Sequence, residues 1–543
     1  MATRAKSDYV IVGAGSAGCA LANRLSEDGT RSVLLLEAGP RDRSIVLRMP
    51  AALGLPLLNT RFNWAFQSEP EPGLDGRRSD QPRGRVLGGS SSLNGMVFVR
   101  GNARDYDRWA ELGAPSWSYA HCLPYFKRME TFSGGGDAYR GDSGPLHVTR
   151  CGADNPLYQA FLEAGQNAGL PLTPDHNGRQ QEGVNVAQAT IHRGSRESAS
   201  RAFLSSAMNR GNLTVVTGAM VTRLVFSGNR VSGVAYTENG EQREVEAERE
   251  VILCAGAFGS PQLLMLSGIG DADALRQLEI APRQHLPGVG RNLQDHIAVP
   301  IQYRAIKEVS PARNLGKLGR LAVGLRWMAA RSGLGASNYF EVGAFMRGNA
   351  TVAYPNLQHE FFPMIGEFYR GEAKIEQGFQ YFLSVMRPES RGSVTLVDRN
   401  PRSAPRIQFN FLTQPADLQQ MIEGIRLTRT IIRQRGWDAL RGVEVSPGDD
   451  VQTDSELERW IRANGGTGYH AAGTCAMGTD SMSVTDEEGR VHGVEGLRVA
   501  DASLMPRLVT GNTNAASIMI GDKLADPILQ RGSLAPIDLS TGG

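Results

Sequence analysis

Cysteine is scarce in this chain of 543 residues: there are five, at positions 19, 122, 151, 254 and 475, and no two form a CxxC pair. That spacing argues against a redox dithiol, a local zinc knuckle or a ferredoxin-type cluster, and it reads as reduced, buried thiols in a cytoplasmic protein. An excess of one charge is also missing. The net charge is +2 with no long basic run, so no nucleic-acid partner is expected. Met1-Ala2-Thr3-Arg4-Ala5-Lys6-Ser7 contains no apolar segment, so no secretory signal is expected. The uncharged run from Val251 to Gly270 is interrupted by glycines, by Ser260-Pro261-Gln262 and by Ser267. It reads as strand, turn and helix, and no transmembrane helix is predicted. No metal site is predicted either.

What is present describes an ordinary globular protein, 41% hydrophobic and 21% charged. The length exceeds what one core usually serves, so two large, interleaved domains are expected. Near the start, Tyr9-Val10-Ile11-Val12 is a short run of strand formers. It breaks into Gly13-Ala14-Gly15-Ser16-Ala17-Gly18, which leads into the helical pattern Cys19 to Leu25. A helix start offers unpaired N–H groups and a positive dipole end, where a pyrophosphate can sit if no side chain intervenes. Gly13 makes the turn, Gly15 admits the phosphate, and Gly18 lets helix and strand pack closely. A second strand, Ser32 to Leu36, ends in Glu37, the position from which an acid binds ribose hydroxyls. The pattern predicts a dinucleotide cofactor with an unphosphorylated adenosine ribose, without choosing between FAD and NAD. No second GxGxxG is found, which argues against a two-nucleotide reductase.

From Pro40 to Gly84 the chain is irregular, with an aromatic island at Phe62-Asn63-Trp64, and reads as a binding loop. Gly84-Arg85-Val86-Leu87-Gly88-Gly89-Ser90-Ser91-Ser92-Leu93-Asn94-Gly95-Met96 follows, with Val97-Phe98-Val99 immediately after it. So many small residues let backbone lie against something flat. Thr214 to Ala255 alternates in runs separated by Gly228-Asn229 and Asn239-Gly240, which predicts a β-meander with separate strands at Val221–Val225, Val231–Tyr236 and Val251–Ala255. Asp417 to Gln434 reads as a helix ending near Gly436.

Two of these stretches, Gly84 to Asn94 after the dinucleotide start and Gly256-Ala257-Phe258-Gly259-Ser260-Pro261-Gln262 to Gly270, resemble the two signatures of the glucose-methanol-choline (GMC) flavoprotein oxidoreductases. Pro287 to His296 is also familiar from that family and marks the crossing into the second domain. The resemblance implies an α/β fold: a Rossmann-type FAD-binding domain in segments 1–155, 211–299 and 466–543, interleaved with an α+β substrate-binding domain in segments 156–210 and 300–465. It implies that FAD is the cofactor, held by Gly13, Gly15, Ser16, Ala17, Gly18, Glu37, Ala38, Trp64, Arg85, Gly88, Ser90, Asn94, Gly95, Met96, Val97, Val221, Asp501, Ala502, Thr513 and Asn514. Family members with covalently attached flavin have a histidine at the place of Leu93. Leucine cannot form that bond, so non-covalent FAD is expected.

The C-terminal segment carries Gly468-Tyr469-His470-Ala471-Ala472-Gly473 and, further on, Val509-Thr510-Gly511-Asn512-Thr513-Asn514. A histidine among small residues has room for a reactant, and imidazole accepts protons near neutral pH. By resemblance His470 is the catalytic base and Asn512 its partner, with Asn514 beside the flavin. The implied reaction is oxidation of a primary alcohol to an aldehyde, His470 taking the hydroxyl proton while hydride leaves for flavin N5. Asn338-Tyr339-Phe340-Glu341-Val342-Gly343-Ala344-Phe345 is most like the choline-dehydrogenase branch. A carboxylate among aromatic rings suits a quaternary ammonium, which makes Glu341, with Tyr469, a candidate substrate contact. His296, next to Asp295, reads as structural because no metal-spaced partner is nearby. Competing functions within the same superfamily are a hydroxynitrile lyase and a light-driven fatty-acid decarboxylase. The expected partners are a small alcohol and an acceptor, oxygen or quinone. The expected location is cytoplasmic, compatible with peripheral attachment to the inner face of a membrane. No motif specifies the oligomeric state.

Overall fold

A strand, a glycine turn and a helix open the chain: β1 (Ala5–Val12) runs into α1 (Ser16–Leu25) and then β2 (Val33–Glu37). Tyr9 to Val12 and all of β2 are buried, as strands in a parallel sheet covered on both faces must be. The computed structural model describes residues 5–369 and 372–539. Between Pro40 and Gly84 the predicted irregular segment holds short helical turns at Ile45–Arg48, Pro50–Ala52 and Gly54–Leu57 and a two-residue ladder between Phe66–Gln67 and Asp80–Gln81.

Next in chain order come β3 (Gly183–Val186), β4 (Leu213–Thr217), β5 (Ala219–Ser227), β6 (Arg230–Glu238), β7 (Glu241–Leu253) and α2 (Gly256–Leu266). They are followed by β8 (Ile297–Ala305), α3 (Lys317–Ala330), β9 (Val342–Met346), β10 (Leu357–Phe362) and β11 (Phe379–Val385). The chain ends in α4 (Pro415–Ile432), β12 (Arg441–Ser446), β13 (Gly466–Thr467), β14 (Leu497–Val499) and α5 (Asn514–Ile528).

One seven-stranded sheet has the order β4-β2-β1-β7-β6-β5, with β14 added to β7. The meander departs from expectation at two places: β4, which holds the run Thr214–Val216, pairs parallel with β2 at the far edge of the sheet, and Val251 does not open a separate strand. It lies near the end of β7, whose thirteen residues pair with β6 from Glu241 to Glu246 and with β14 from Val251 to Leu253. The charged start of β7 hid this in the sequence. Backbone pairing on both edges holds the strand, while Glu241, Gln242 and Arg243 stay exposed.

The second seven-stranded sheet has the order β12-β8-β11-β10-β9-β3, with β13 also paired to β8. Its ladders are antiparallel. Each sheet has its own hydrophobic core, so the fold is α/β with the Rossmann-type and substrate domains interleaved along the chain. Among the described residues no helix is long and apolar enough to cross a membrane.

Candidate active site

The glycine turn is built by close backbone contact. Gly13 has φ +103°, and a Cβ there would come within 2.5 Å of the Cys254 carbonyl oxygen. Gly89, at φ +54°, lies over Gly15, where a Cβ would sit 2.7 Å from the Gly15 Cα. The Gly88 N–H donates to the Ala14 carbonyl at 2.8 Å, so Gly84–Asn94 closes over the start of α1. At Gly15 itself the space is open: an added Cβ would meet only the Cys254 oxygen, at 3.9 Å. No side chain caps α1 or α5, and Ser16 Oγ donates to Asn514 Oδ1 at 2.7 Å. Two helix starts with free N–H groups therefore converge at one point, as the pyrophosphate of a dinucleotide requires.

Glu37 lies at the end of β2. Its Oε2 accepts from the Ala14 N–H at 3.0 Å and its Oε1 from the Gly39 N–H at 2.8 Å. Burial pushes its pKa up to about 7, against those two bonds. Ala38 continues from it, and Val221 is buried on β5. Arg85 lies over the Trp64 ring at 5.4 Å, and its Nε is buried without a protein partner. Ser90 Oγ accepts from the Gly84 N–H. Asn94 Oδ1 accepts from the Met96 N–H and from the buried Arg196, whose pKa falls to about 9 through burial. Gly95 faces the Phe340 ring, and Val97 bridges to Ala189. Asp501 accepts from the Gly256 N–H, Ser260 Oγ and the Ser503 N–H, and Ala502 follows it in a short 3-10 turn. Leu93 is buried with Leu47, Phe62 and Val86. The uncapped helix starts, the open space at Gly15 and the orphaned Arg85 Nε fit the residues around the glycine turn to FAD.

Asn512 stands two residues before Asn514, which joins this cradle to His470. The Asn512 amide is oriented from both sides: Gln358 Nε2 donates to Oδ1 at 3.3 Å, and Nδ2 donates to Glu360 Oε1 at 3.1 Å. Nδ2 also lies 3.1 Å from His470 Nε2. Because Nδ2 can only donate, this pattern assigns the His470 lone pair to Nε2 and the proton to Nδ1. His470 Nδ1 then donates to His296 Nδ1 at 2.9 Å, and the His470 N–H donates to Asp295 Oδ1 at 2.7 Å. Burial first, then His296 and Arg83, hold the His470 imidazole well below its ordinary pKa. Burial raises Asp295 to about 6, opposed by Arg83, and lowers His296 to about 3.

His296 therefore does more than fill space. It is in direct contact with His470, which the sequence reading missed. The contact exists because Ile297 on β8 pairs with Thr467 on β13 and Gln294 bridges to Ala472, bringing 295–296 against 470. Glu360 was missed too. Along β10, Leu357, Phe361 and His359 alternate with Gln358, Glu360 and Phe362. That period of two is the signal that could have singled out a polar pair on one face. The loop carrying Asn512 is clamped by Asp105, which accepts from the Thr510 N–H at 2.6 Å and from Thr510 Oγ1 at 2.9 Å.

Glu341 is not part of this cluster. One of its carboxylate oxygens accepts from Ser337 Oγ, and the other accepts from the Ala153 N–H at 2.9 Å. Tyr469 is beside the base in sequence, at φ +66°, with half of its surface exposed. Val97, Val99, Phe340, Phe345, Gln358 and Glu360 line a small cavity.

Fold and site together define a protein built to hold a dinucleotide cofactor, in which the His470 imidazole meets the Asn512 amide two residues from the cofactor cradle. The chain belongs to the GMC oxidoreductase family, whose N-terminal profile matches residues 7–298 and whose C-terminal profile matches residues 388–521. It is similar to the oxygen-dependent choline dehydrogenase of Paraburkholderia phytofirmans, 47% identical over 98% of this chain and 96% of the relative. The enzyme of the same name from Staphylococcus xylosus is 46% identical over 97% and 96%. Among solved structures, pyridoxine 4-oxidase from Mesorbium loti matches with a TM-score of 0.87 at 33% identity, covering 97% of this chain and 99% of the other. A formate oxidase matches with a TM-score of 0.90 at 28% identity, covering 98% and 99%. The protein is thus an FAD-dependent oxidoreductase acting on the CH–OH group of its donor, and the lyase and decarboxylase alternatives are not favoured.

Proposed function

We propose that the enzyme oxidises a primary alcohol that carries a cationic group a short spacer away from its carbinol, choline being the simplest such compound. The observation that supports this most is the chain Glu360–Asn512–His470, in which two hydrogen-bond lengths separate a carboxylate from the lone pair of the base. Glu360 is raised in pKa by burial, with Asn512 as the partner that opposes the shift. A substrate cation would stabilise its ionised form. Phe340, packed against Phe362 at 5.1 Å and Phe382 at 6.0 Å, adds aromatic surface of the kind that attracts an ammonium. Glu341 and Tyr469 are the weaker candidates for the same contact, since both Glu341 oxygens are already engaged.

In this reading the substrate hydroxyl breaks the direct Asn512 Nδ2–His470 Nε2 contact and takes its place as the partner of both groups. Asn512 donates to the oxygen, and Nε2 accepts the hydroxyl proton as the C–H bond breaks. The imidazolium that results stabilises the developing oxyanion. The His296 and Asp295 contacts keep the ring turned so that Nε2 faces the substrate. FAD, when bound non-covalently, would supply flavin N5 as the hydride acceptor, and oxygen or a quinone would be the final electron acceptor. We assign the protein to the cytoplasm, a location compatible with peripheral attachment to the inner face of a membrane.

The test is anaerobic mixing with choline and with its uncharged isostere 3,3-dimethylbutan-1-ol, following loss of the yellow flavin colour. Choline should bleach the flavin far faster. His470→Ala should slow bleaching by ~10²–10⁴-fold. Glu360→Gln should cost choline about 10- to 100-fold in kcat/KM and change little for the isostere. Equal rates for the two alcohols would reject the cation reading while leaving alcohol oxidation intact.

A further inference from the structure

From residue 309 to residue 340 the chain contains no acidic residue and five basic ones, Arg313, Lys317, Arg320, Arg326 and Arg331. Helix α3 lies within this stretch and is attached to the body of the protein by one fully buried side chain, Trp327. The Trp327 Nε1–H donates to the Gly194 carbonyl at 2.6 Å, and Arg331 covers the ring at 3.8 Å. On the solvent side Leu318, Leu321, Leu325 and Met328 are 83%, 59%, 53% and 47% exposed. Their spacing places them on one face of the helix. Four large apolar side chains in one exposed row are uncommon on a monomer surface. The patch extends beyond the helix. The turn Gly333–Ala336 packs against the turn Pro50–Ala52, and Ile45 and Leu55 beside that turn are also about half exposed. Arg48, on the same neighbouring segment, is lowered in pKa by burial and by the positive charges of Arg201 and Arg331.

We propose that α3 and the adjoining turns form a docking face for the surface of an anionic phospholipid bilayer. An apolar row flanked by cations, on a helix too short and too polar to span, matches an element that lies in the interface plane. The unbroken positive charge of residues 309–340 is the complement of an anionic headgroup layer. The stretch runs directly into Asn338 and Phe340. Asn338 Nδ2 donates to the Gly95 carbonyl at 2.7 Å, and Phe340 lines the cavity shared with Gln358 and Glu360. A docked enzyme would hold that side of the cavity toward the lipid.

The experiment is sedimentation of the FAD-loaded enzyme with vesicles of phosphatidylglycerol and phosphatidylcholine, and with vesicles of phosphatidylcholine alone. Binding is expected to the anionic vesicles and to fall with added salt. The double variant Leu321→Asp/Leu325→Asp should abolish it. Lys317→Gln/Arg320→Gln/Arg326→Gln should reduce partitioning about fivefold for each charge removed. Both variants should keep wild-type rates with a soluble dye acceptor, since none of these residues touches the site. No sedimentation with either vesicle, or sedimentation untouched by both variants, would overturn the proposal. So would light scattering that shows a dimer converted to monomer by the leucine variant, because a second copy would then be the occupant.

Discussion

The proton acceptor we propose, His470, must reach the reaction unprotonated, and its surroundings secure this. Burial, His296 and Arg83 all lower its affinity for a proton, so it stays neutral until the pH falls well below the ordinary imidazole range. The acid limb of the flavin-reduction rate is therefore expected below pH 6.5, the ordinary imidazole value. Arg83 lies with its guanidinium over the Phe258 ring at 4.9 Å and donates to the Pro82 carbonyl. Arg83→Gln removes a positive charge that disfavours imidazolium, so its acid limb should move to higher pH. A pH–rate profile by rapid mixing measures this, and a limb that stays in place would mean that Arg83 does not act on His470. None of these contacts is visible in the sequence around His470. Arg83, Asp295, His296 and Glu360 lie between about 110 and 390 positions away in the chain.

At the scale of elements, the glycine turn was fully legible, because strand, turn and helix are local and each glycine answers a local demand. Gly13 needs positive φ, whereas Gly15 does not, and a Cβ there finds open space in the protein. Gly15→Ala should therefore leave stability within about 0.5 kcal/mol while weakening FAD binding by on the order of tenfold or more, since the added methyl occupies the path of the pyrophosphate. Thermal unfolding of the apoprotein and FAD titration separate the two effects. Unchanged FAD affinity would place the phosphates elsewhere. The strand β7 shows the opposite case. Its first four residues, Glu241 to Glu244, carry no apolar side chain, and pairing with β6 along one edge makes them strand, β1 joining the other edge only from Val245.

At the scale of the whole molecule, four histidines are kept neutral in the fold by burial: His176 at about 4, His296 and His359 at about 3, and His470 well below its ordinary value. The unfolded chain protonates them from about pH 6.5 downward, so each lowers stability as pH falls. Glu37 at about 7 and Asp105 and Asp295 at about 6 act the other way. They hold protons in the fold that the unfolded chain has released, so they add stability as pH falls toward about 4. Between about pH 6 and 4.5 the two sets oppose each other, and the buried acids Glu71, Glu360, Asp501 and Asp522, also raised in pKa, act with the second. Below about 4 the raised acids are protonated in both states, while His296, His359 and His470 still disfavour the fold, at about 1.4 kcal/mol per histidine per pH unit, joined by carboxylates such as Asp175 and Glu456 whose pKa the fold lowers. The melting temperature should change little across the first window and drop steeply below it, with FAD passing a filter once the protein unfolds. Flavin that stays with the chain would contradict a non-covalent cofactor. By itself the sequence determined the α/β class and the dinucleotide turn, because these rest on local periodicity and on motifs contiguous in the chain, while its resemblance to the GMC family pointed to His470 and Asn512. The tertiary structure alone decided which acid faces the base, what tunes its proton affinity and which helix presents apolar side chains to solvent. Those properties follow from the antiparallel pairing of distant strands and from burial, and neither is encoded within any one window of residues.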